Sequence, residues 1–127
     1  MGHRYRQVIP QHSTISSLKV VYDDGELRIE GLDRHSSPVI ALRFVDVLLT
    51  RVVEEGVRLH LITDRKREHG FMLRDEQSEL ITWVREEGLN TRDLRDAKHF
   101  VVFAGREIID VVTFSDPEIS YGDSPRH

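Results

Sequence analysis

The sequence predicts an α+β fold: a curved, mostly antiparallel sheet or partial barrel of about six to seven strands, with one main helix at about residues 76–87 packed on it. Two hairpin patterns, over Leu18–Ile29 and His99–Phe114, and one amphipathic helical segment between them are the observations behind this prediction. Strand patterns do not alternate with helical ones, which argues against a doubly wound nucleotide-binding sheet.

Length and composition predict the domain organisation. The chain has 127 residues, close to the commonest size of a single domain. Residues 1–14 carry few apolar side chains and are predicted to form a flexible lead segment, and residues 115–127 are predicted to form an acidic polar tail. Residues 15–114 are therefore assigned to a single α+β domain.

The first hairpin is the clearest local signal. Leu18 and Val20 occupy alternate positions before Asp24-Gly25, and Leu27 and Ile29 occupy alternate positions after it. An Asp-Gly pair suits the positive φ angles of a tight type I′ turn. One face of this hairpin is apolar and the other is charged, which is typical of an antiparallel sheet with one solvent-exposed face.

Residues 39–53 permit two interpretations. Polar side chains recur at steps of three and four, as on a helix, but the many valines favour a strand. We predict a long strand bent near Asp46, with Asp46 at a bulge, and keep a helix as the competing interpretation. Residues 57–62 and 70–74 are predicted to be two further strands, because their apolar residues alternate.

The main helix is predicted to begin at Asp75, a good N-cap residue, and to end at Gly88. Trp83 is the only tryptophan and lies on the apolar side, so it is most simply a core residue. If it is half exposed, it becomes an anchor for a protein partner. Glu79 belongs to an acidic outer face that could attract a basic partner.

The second hairpin combines residues 99–104 and 107–114, with Gly105-Arg106 between them. Both segments are nearly continuous apolar runs. Strands of this kind are usually covered on both faces, so we expect them to be central in the sheet.

The usual signatures of catalysis and cofactor binding are missing from the sequence. The chain has no cysteine, which excludes disulfides, thiolate catalysis and cysteine-bound zinc. It has no phosphate-binding loop, dinucleotide fingerprint or nucleophile elbow. We therefore expect no catalytic residue, no metal ligand and no cofactor, and we lean against an enzyme.

Histidines and one aspartate supply the remaining candidates. None of the seven histidines lies three or four residues from another, as a helical metal-ligand pair would. His60 and His99 could still meet across strands, although His60 is more simply a surface residue and His99 a strand-start residue. Asp110 stands within an apolar run and must find a partner if it is buried. It is interpreted as an acid/base or ligand-anchoring group, an outward-facing residue, or an ion-pair partner of a residue such as Arg43.

Charge and hydropathy limit the partners. The net charge of −4 argues against nucleic acid as the main partner, and phosphate binding through Arg65-Lys66-Arg67 ranks lowest. No apolar run approaches the length that spans a bilayer, and no signal sequence is evident. We expect a cytoplasmic protein with no membrane partner.

Three segments, residues 80–87, 98–103 and 109–112, resemble those of small uncharacterised bacterial proteins, some of which are immunity partners of secreted toxins. The resemblance covers residues 80–117, contains no diagnostic motif and transfers no functional residue. It implies a binding role without catalysis.

These observations lead to two functional expectations. The first is a non-catalytic protein-binding module, with an immunity-type role or a homo-oligomer among its forms. The second is a small enzyme or ligand-binding protein with a pocket between helix and sheet. The candidate ligand or partner contacts are Asp110, His60, His99, Trp83 and Glu79.

Overall fold

The computed structural model describes residues 4–10, 14–54, 70–89, 91, 93–104 and 107–122. Within these residues it contains nine strands in two antiparallel sheets, and one helix. The strands are β1 (Tyr5–Pro10), β2 (Ser17–Asp23), β3 (Glu26–Leu32), β4 (Pro38–Phe44), β5 (Val47–Glu54), β6 (Gly70–Asp75), β7 (Lys98–Ala104), β8 (Glu107–Thr113) and β9 (Glu118–Tyr121); the helix is α1 (Glu79–Glu87).

The larger sheet has five strands in the order β1-β6-β7-β8-β5. Strands β7 and β8 pair along their whole length, from Lys98 opposite Thr113 to Ala104 opposite Glu107. Nearly every residue of both strands is buried. The predicted second hairpin and its central position are therefore confirmed.

The smaller sheet has four strands in the order β2-β3-β4-β9. Its first hairpin turns at Asp24 and Gly25, whose φ angles are 52° and 81°, as the predicted type I′ turn requires. Leu27 and Ile29 are fully buried on the inner face, so the predicted apolar face of this hairpin is confirmed.

The main hydrophobic core lies between the two sheets. Phe44 of β4 and Phe100 of β7 meet there with ring centroids 5.9 Å apart. A second, smaller apolar cluster includes Leu73, Val101 and Ile108 of the larger sheet. Val101 alternates with Phe100, so this cluster lies on the face turned away from the smaller sheet. That second face carries α1 and the polar site described below.

The predicted single curved sheet is wrong in one respect, because the strands divide into two sheets. The strand interpretation of residues 39–53 is confirmed against the helix, but the chain breaks at Asp46, which has a φ of 55°. Thr113 holds this corner by donating its hydroxyl to the carbonyl of Val45 at 2.8 Å. The corner passes the chain from the smaller sheet to the larger one, so β4 and β5 no longer share a sheet.

The predicted helix is confirmed in place but begins later than expected. Ser78, and not Asp75, is the N-cap, since its hydroxyl accepts the N–H of Ile81 at 3.0 Å. Asp75 instead ends β6, where its side chain is buried and accepts the N–H of Gln77 at 3.0 Å. The helix packs less deeply than predicted, because none of its residues is fully buried.

Both terminal segments contribute strands. Tyr5 and Ile9, in the segment predicted to be a flexible lead, are buried in β1, which pairs with β6. Strand β9, in the predicted tail, pairs with β4. The predicted strand over residues 57–62 and the basic loop at Arg65 lie outside the described residues. No helix in the described ranges is long and apolar enough to cross a membrane.

Candidate functional site

His99 and Asp110 form the centre of the site. They lie on neighbouring strands β7 and β8 as diagonal neighbours, because His99 is opposite Val112 and Asp110 is two residues before Val112 on the same face. The Nε2 atom of His99 lies 2.7 Å from Oδ1 of Asp110, and both side chains are buried, with 2% and 0% of their surface exposed. An ionised carboxylate only accepts hydrogen bonds, so Nε2 carries the proton and donates it to Asp110.

Ser78 completes a chain of hydrogen bonds on the other side of the imidazole. Its Oγ lies 2.7 Å from Nδ1 of His99 and also accepts the N–H of Ile81. In the tautomer with its single proton on Nε2, Nδ1 is an acceptor, and the Ser78 hydroxyl donates to it. One consistent arrangement of protons therefore runs from Ser78 through His99 to Asp110.

Arg51 occupies the second oxygen of Asp110. It stands directly opposite Asp110 in the pairing of β5 with β8. Its Nε and Nη2 atoms both donate to Oδ2, at 3.1 and 3.0 Å. The Arg51 side chain is 44% exposed, so the guanidinium joins a buried carboxylate to the protein surface.

A parallel arrangement stands on the other flank of His99. Arg4 binds Asp75 through two hydrogen bonds of 3.0 Å, one to each carboxylate oxygen. The hydrogen bond to Asp75 raises the pKa of the Arg4 guanidinium above its usual value. Oδ2 of Asp75 lies 3.6 Å from Nδ1 of His99. His99 therefore stands between two buried carboxylates, and each carboxylate has its own arginine.

The formal charges of this cluster balance. Asp75 and Asp110 contribute two negative charges, and Arg4 and Arg51 offset them with two positive ones. Buried carboxylates are stable only when they are paired and hydrogen-bonded, because desolvation of an isolated charge costs several kcal/mol. The two arginines therefore stabilise the site.

A cavity of about 650 Å³ opens beside this cluster, between α1 and β5. Arg4 and Arg51 both line it, and neither Nη1 atom has a hydrogen-bond partner among the described residues. Trp83, half exposed at 50%, lines the same cavity. The remaining lining residues are Leu49, Thr50, Glu79, Leu80 and His99.

A second cavity of about 420 Å³ lies on the opposite flank of α1. Ser78 and His99 border it, so His99 touches both cavities. Its wall carries four cationic residues, Arg74, Arg85, Arg95 and Lys98, and two acidic ones, Asp75 and Glu76. The helix thus lies over His99 with one cavity on each side.

The structure brings four of the five predicted site residues to this region. Asp110 and His99 are bonded to each other, and Glu79 and Trp83 line the first cavity. The core position suggested for Trp83 is wrong, because half of its surface is exposed. His60 lies outside the described residues.

Sequence reasoning missed Arg4, Arg51, Asp75 and Ser78. A carboxylate within an apolar strand indicates a cationic partner for Asp110, but that partner is not Arg43. Arg43 binds Glu26 and Glu118 on the smaller sheet. The ion pair with Arg51 follows from the strand register, which the sequence pattern does not specify.

Among the residues that the structure describes, no group of three or more histidine or acidic side chains is arranged to hold a metal ion. Comparison with protein-family models, curated proteins and solved structures finds no match to this chain.

Proposed function

We propose that this chain is a binding protein whose ligand carries an anionic group and occupies the cavity between α1 and β5. The observation that carries this proposal is that two arginines, Arg4 and Arg51, line one cavity, and each forms an ion pair with a buried carboxylate. Each keeps Nη1 without a hydrogen-bond partner among the described residues.

Fixed guanidinium groups favour an anion for two reasons. A planar guanidinium offers parallel N–H donors that match a carboxylate or phosphate group. Asp75 and Asp110 already hold the arginine side chains in place, so less side-chain entropy is lost when a ligand binds. Hydrogen bonds to charged groups contribute about 1.5–3 kcal/mol each.

The rest of the lining suits an apolar ligand body. Leu49, Leu80 and the exposed face of Trp83 supply apolar surface beside the charged wall. Glu79 repels a second anionic group, so a ligand with one anionic end and one apolar end fits best. Small aromatic carboxylates have this form.

Ligand-observed NMR with small aromatic carboxylates and their matched primary amides tests the proposal. We expect phenylacetate to bind and phenylacetamide, which has nearly the same shape without the charge, to bind at least about tenfold more weakly, a difference of about 1.4 kcal/mol. Arg51→Gln should remove the preference, and Arg43→Gln, on the other sheet, should keep it. Equal binding of carboxylates and amides would contradict the proposal.

Docking of a protein partner is the second candidate function. Trp83 is half exposed and Leu89 is 80% exposed at the end of the same helix, and tryptophan is a frequent anchor in interfaces. An immunity-type role is one form of this candidate, and self-association is another. Light scattering during size exclusion, with wild type and Trp83→Ala compared, tests self-association. This candidate would be contradicted if the wild type is a strict monomer and captures no protein that Trp83→Ala fails to capture.

A further inference from the structure

The hydroxyl of Ser78 is hydrogen-bonded to a histidine that is itself hydrogen-bonded to a buried carboxylate. Both links are 2.7 Å, from Ser78 Oγ to His99 Nδ1 and from His99 Nε2 to Asp110 Oδ1. A serine bonded to a base, which is in turn bonded to an orienting carboxylate, is the arrangement used in nucleophilic catalysis. It is recognised by its geometry and not by the order of the residues in the chain. Here the serine contacts Nδ1 and the carboxylate contacts Nε2.

Ser78 is also accessible to a substrate. It borders the second cavity, of about 420 Å³, together with Ile81, Thr82 and His99. Because Ser78 caps α1, the N–H of the following residue, Glu79, lies in the first turn of the helix, where backbone donors have no intrahelical partner. A carbonyl oxygen beside Ser78 can use such a donor as negative charge develops on it.

We propose that Ser78 is a nucleophile that hydrolyses small carboxylic esters carrying an additional anionic group. Ser78 Oγ bonds to the ester carbonyl carbon, and its proton passes to Nδ1 of His99. The tetrahedral intermediate then expels the alkoxide, which takes that proton from His99 and leaves as the alcohol. A water molecule, deprotonated by His99 in the same way, cleaves the acyl-serine and releases the acid and free Ser78.

Asp110 and its partner Arg51 act as positioning residues in this reaction. Asp110 fixes the imidazole with Nε2 protonated, so Nδ1 is the free base facing the serine. When Nδ1 takes the proton, the imidazolium lies between Asp110 and Asp75, at 2.7 and 3.6 Å. Carboxylates on both sides stabilise that positive charge. The charges of Arg4 and Arg51 offset them in the resting state.

The substrate class follows from the charges around the second cavity. The acidic residues of this cavity, Asp75 and Glu76, form ion pairs with Arg4 and Arg6. Arg74 and Arg85 line the cavity, and neither forms a hydrogen-bonded ion pair within the part of the chain that the structure describes. Arg85 interacts with Asp93 through its charge only, since the hydrogen bonds of Arg95 are the main cause of the lowered Asp93 pKa. Two guanidiniums without a hydrogen-bonded carboxylate favour an ester with a negative charge away from the scissile bond.

Labelling with an alkyl fluorophosphonate tests the nucleophile directly. We expect one adduct per chain by intact-mass spectrometry, with peptide mapping placing it on Ser78. Ser78→Gly should abolish the adduct and still cap the helix, since glycine is an acceptable N-cap. Ser115→Gly is the matched control, because the Ser115 hydroxyl lies 3.3 Å from a carboxylate oxygen of Asp46 and is not bonded to histidine. Absence of an adduct on Ser78 in the folded wild type would overturn the proposal.

Turnover of two esters tests the substrate class. We expect the mono-4-nitrophenyl ester of succinic acid to be hydrolysed about tenfold faster than 4-nitrophenyl acetate, the factor that about 1.4 kcal/mol of transition-state binding supplies. Arg85→Gln should reduce this preference. Equal rates for the two esters would overturn the anionic substrate class, and an undiminished rate in Ser78→Gly would overturn the nucleophile. This proposal concerns a different cavity from the ligand-binding proposal, so either can fail alone.

Discussion

The imidazole of His99 donates a hydrogen bond of 2.7 Å to the carboxylate of Asp110 across the two central strands of the larger sheet. Both side chains are buried, and each forms a further hydrogen bond with another residue. Asp110 also accepts two hydrogen bonds from Arg51, and His99 is hydrogen-bonded to Ser78. This pair therefore links the arginine of one cavity to the serine of the other.

Asp110→Ala should lower the free energy of unfolding by about 1–3 kcal/mol, because it leaves the Nε2 donor of buried His99 without its acceptor, whereas the partly exposed Arg51 guanidinium can be hydrated. Urea denaturation measures this change. Asp116→Ala is the control, since Asp116 forms an exposed ion pair with Lys98 and should cost less than about 1 kcal/mol. Similar costs for the two variants would contradict the account of the buried cluster.

The corner at Asp46 predicts that a glycine variant is more stable than an alanine variant there, the reverse of their order inside a strand. At a φ of 55°, Asp46→Gly should be more stable than Asp46→Ala by about 1 kcal/mol, since alanine is strained in the left-handed region. At Lys19, an exposed residue inside strand β2, glycine should instead be the less stable of the two by about 0.5–1 kcal/mol. Thermal unfolding of the four variants measures both differences, and the same sign at both positions would contradict the proposed corner.

The fold was largely predictable where the determinants are local. The Asp24-Gly25 turn specifies the first hairpin, because its two positive φ angles match the twist of the flanking strands. The division into two sheets was not predictable in this way. It depends on Asp46 and on the hydroxyl of Thr113, which are 67 residues apart in the sequence.

The site was predictable only in part for the same reason. Asp110 stood out because a carboxylate in an apolar strand needs partners, and this local signal was sufficient to select it. Its partner Arg51 is 59 residues away, and the second pair, Arg4 and Asp75, is separated by 71 residues. Such pairs follow from strand order and register, which apolar periodicity does not determine.

The ion pairs of the smaller sheet predict a dependence of stability on pH. The hydrogen bond from Arg43 lowers the pKa of the Glu26 carboxyl. A carboxyl whose pKa is lower in the folded state stabilises the fold above its unfolded-state pKa, and this contribution is lost as the pH falls through the folded-state pKa. Glu26→Gln should therefore lose less stability than wild type between about pH 6 and about pH 3, a range that spans the ordinary glutamate pKa.

Urea denaturation at several pH values measures this difference. Arg43→Gln should reduce the acid loss in the same way, since it removes the cause of the shift at Glu26. The pKa of Asp33 is lowered by the backbone N–H groups of Ser37 and His35 and not by Arg43. Its contribution to the acid loss should therefore remain in both variants. Parallel pH profiles for wild type and Glu26→Gln would contradict the prediction.

The fluorescence of Trp83 during titration with phenylacetate tests the proposed anion site most directly, because Trp83 is the only tryptophan and lines the cavity with Arg4 and Arg51. We predict a saturable change in emission for wild type and for Arg43→Gln. Arg51→Gln, checked for folding by circular dichroism, should weaken binding at least about tenfold, as loss of one charge-assisted hydrogen bond predicts. An unchanged affinity in folded Arg51→Gln, or no saturable response in wild type, would contradict the account.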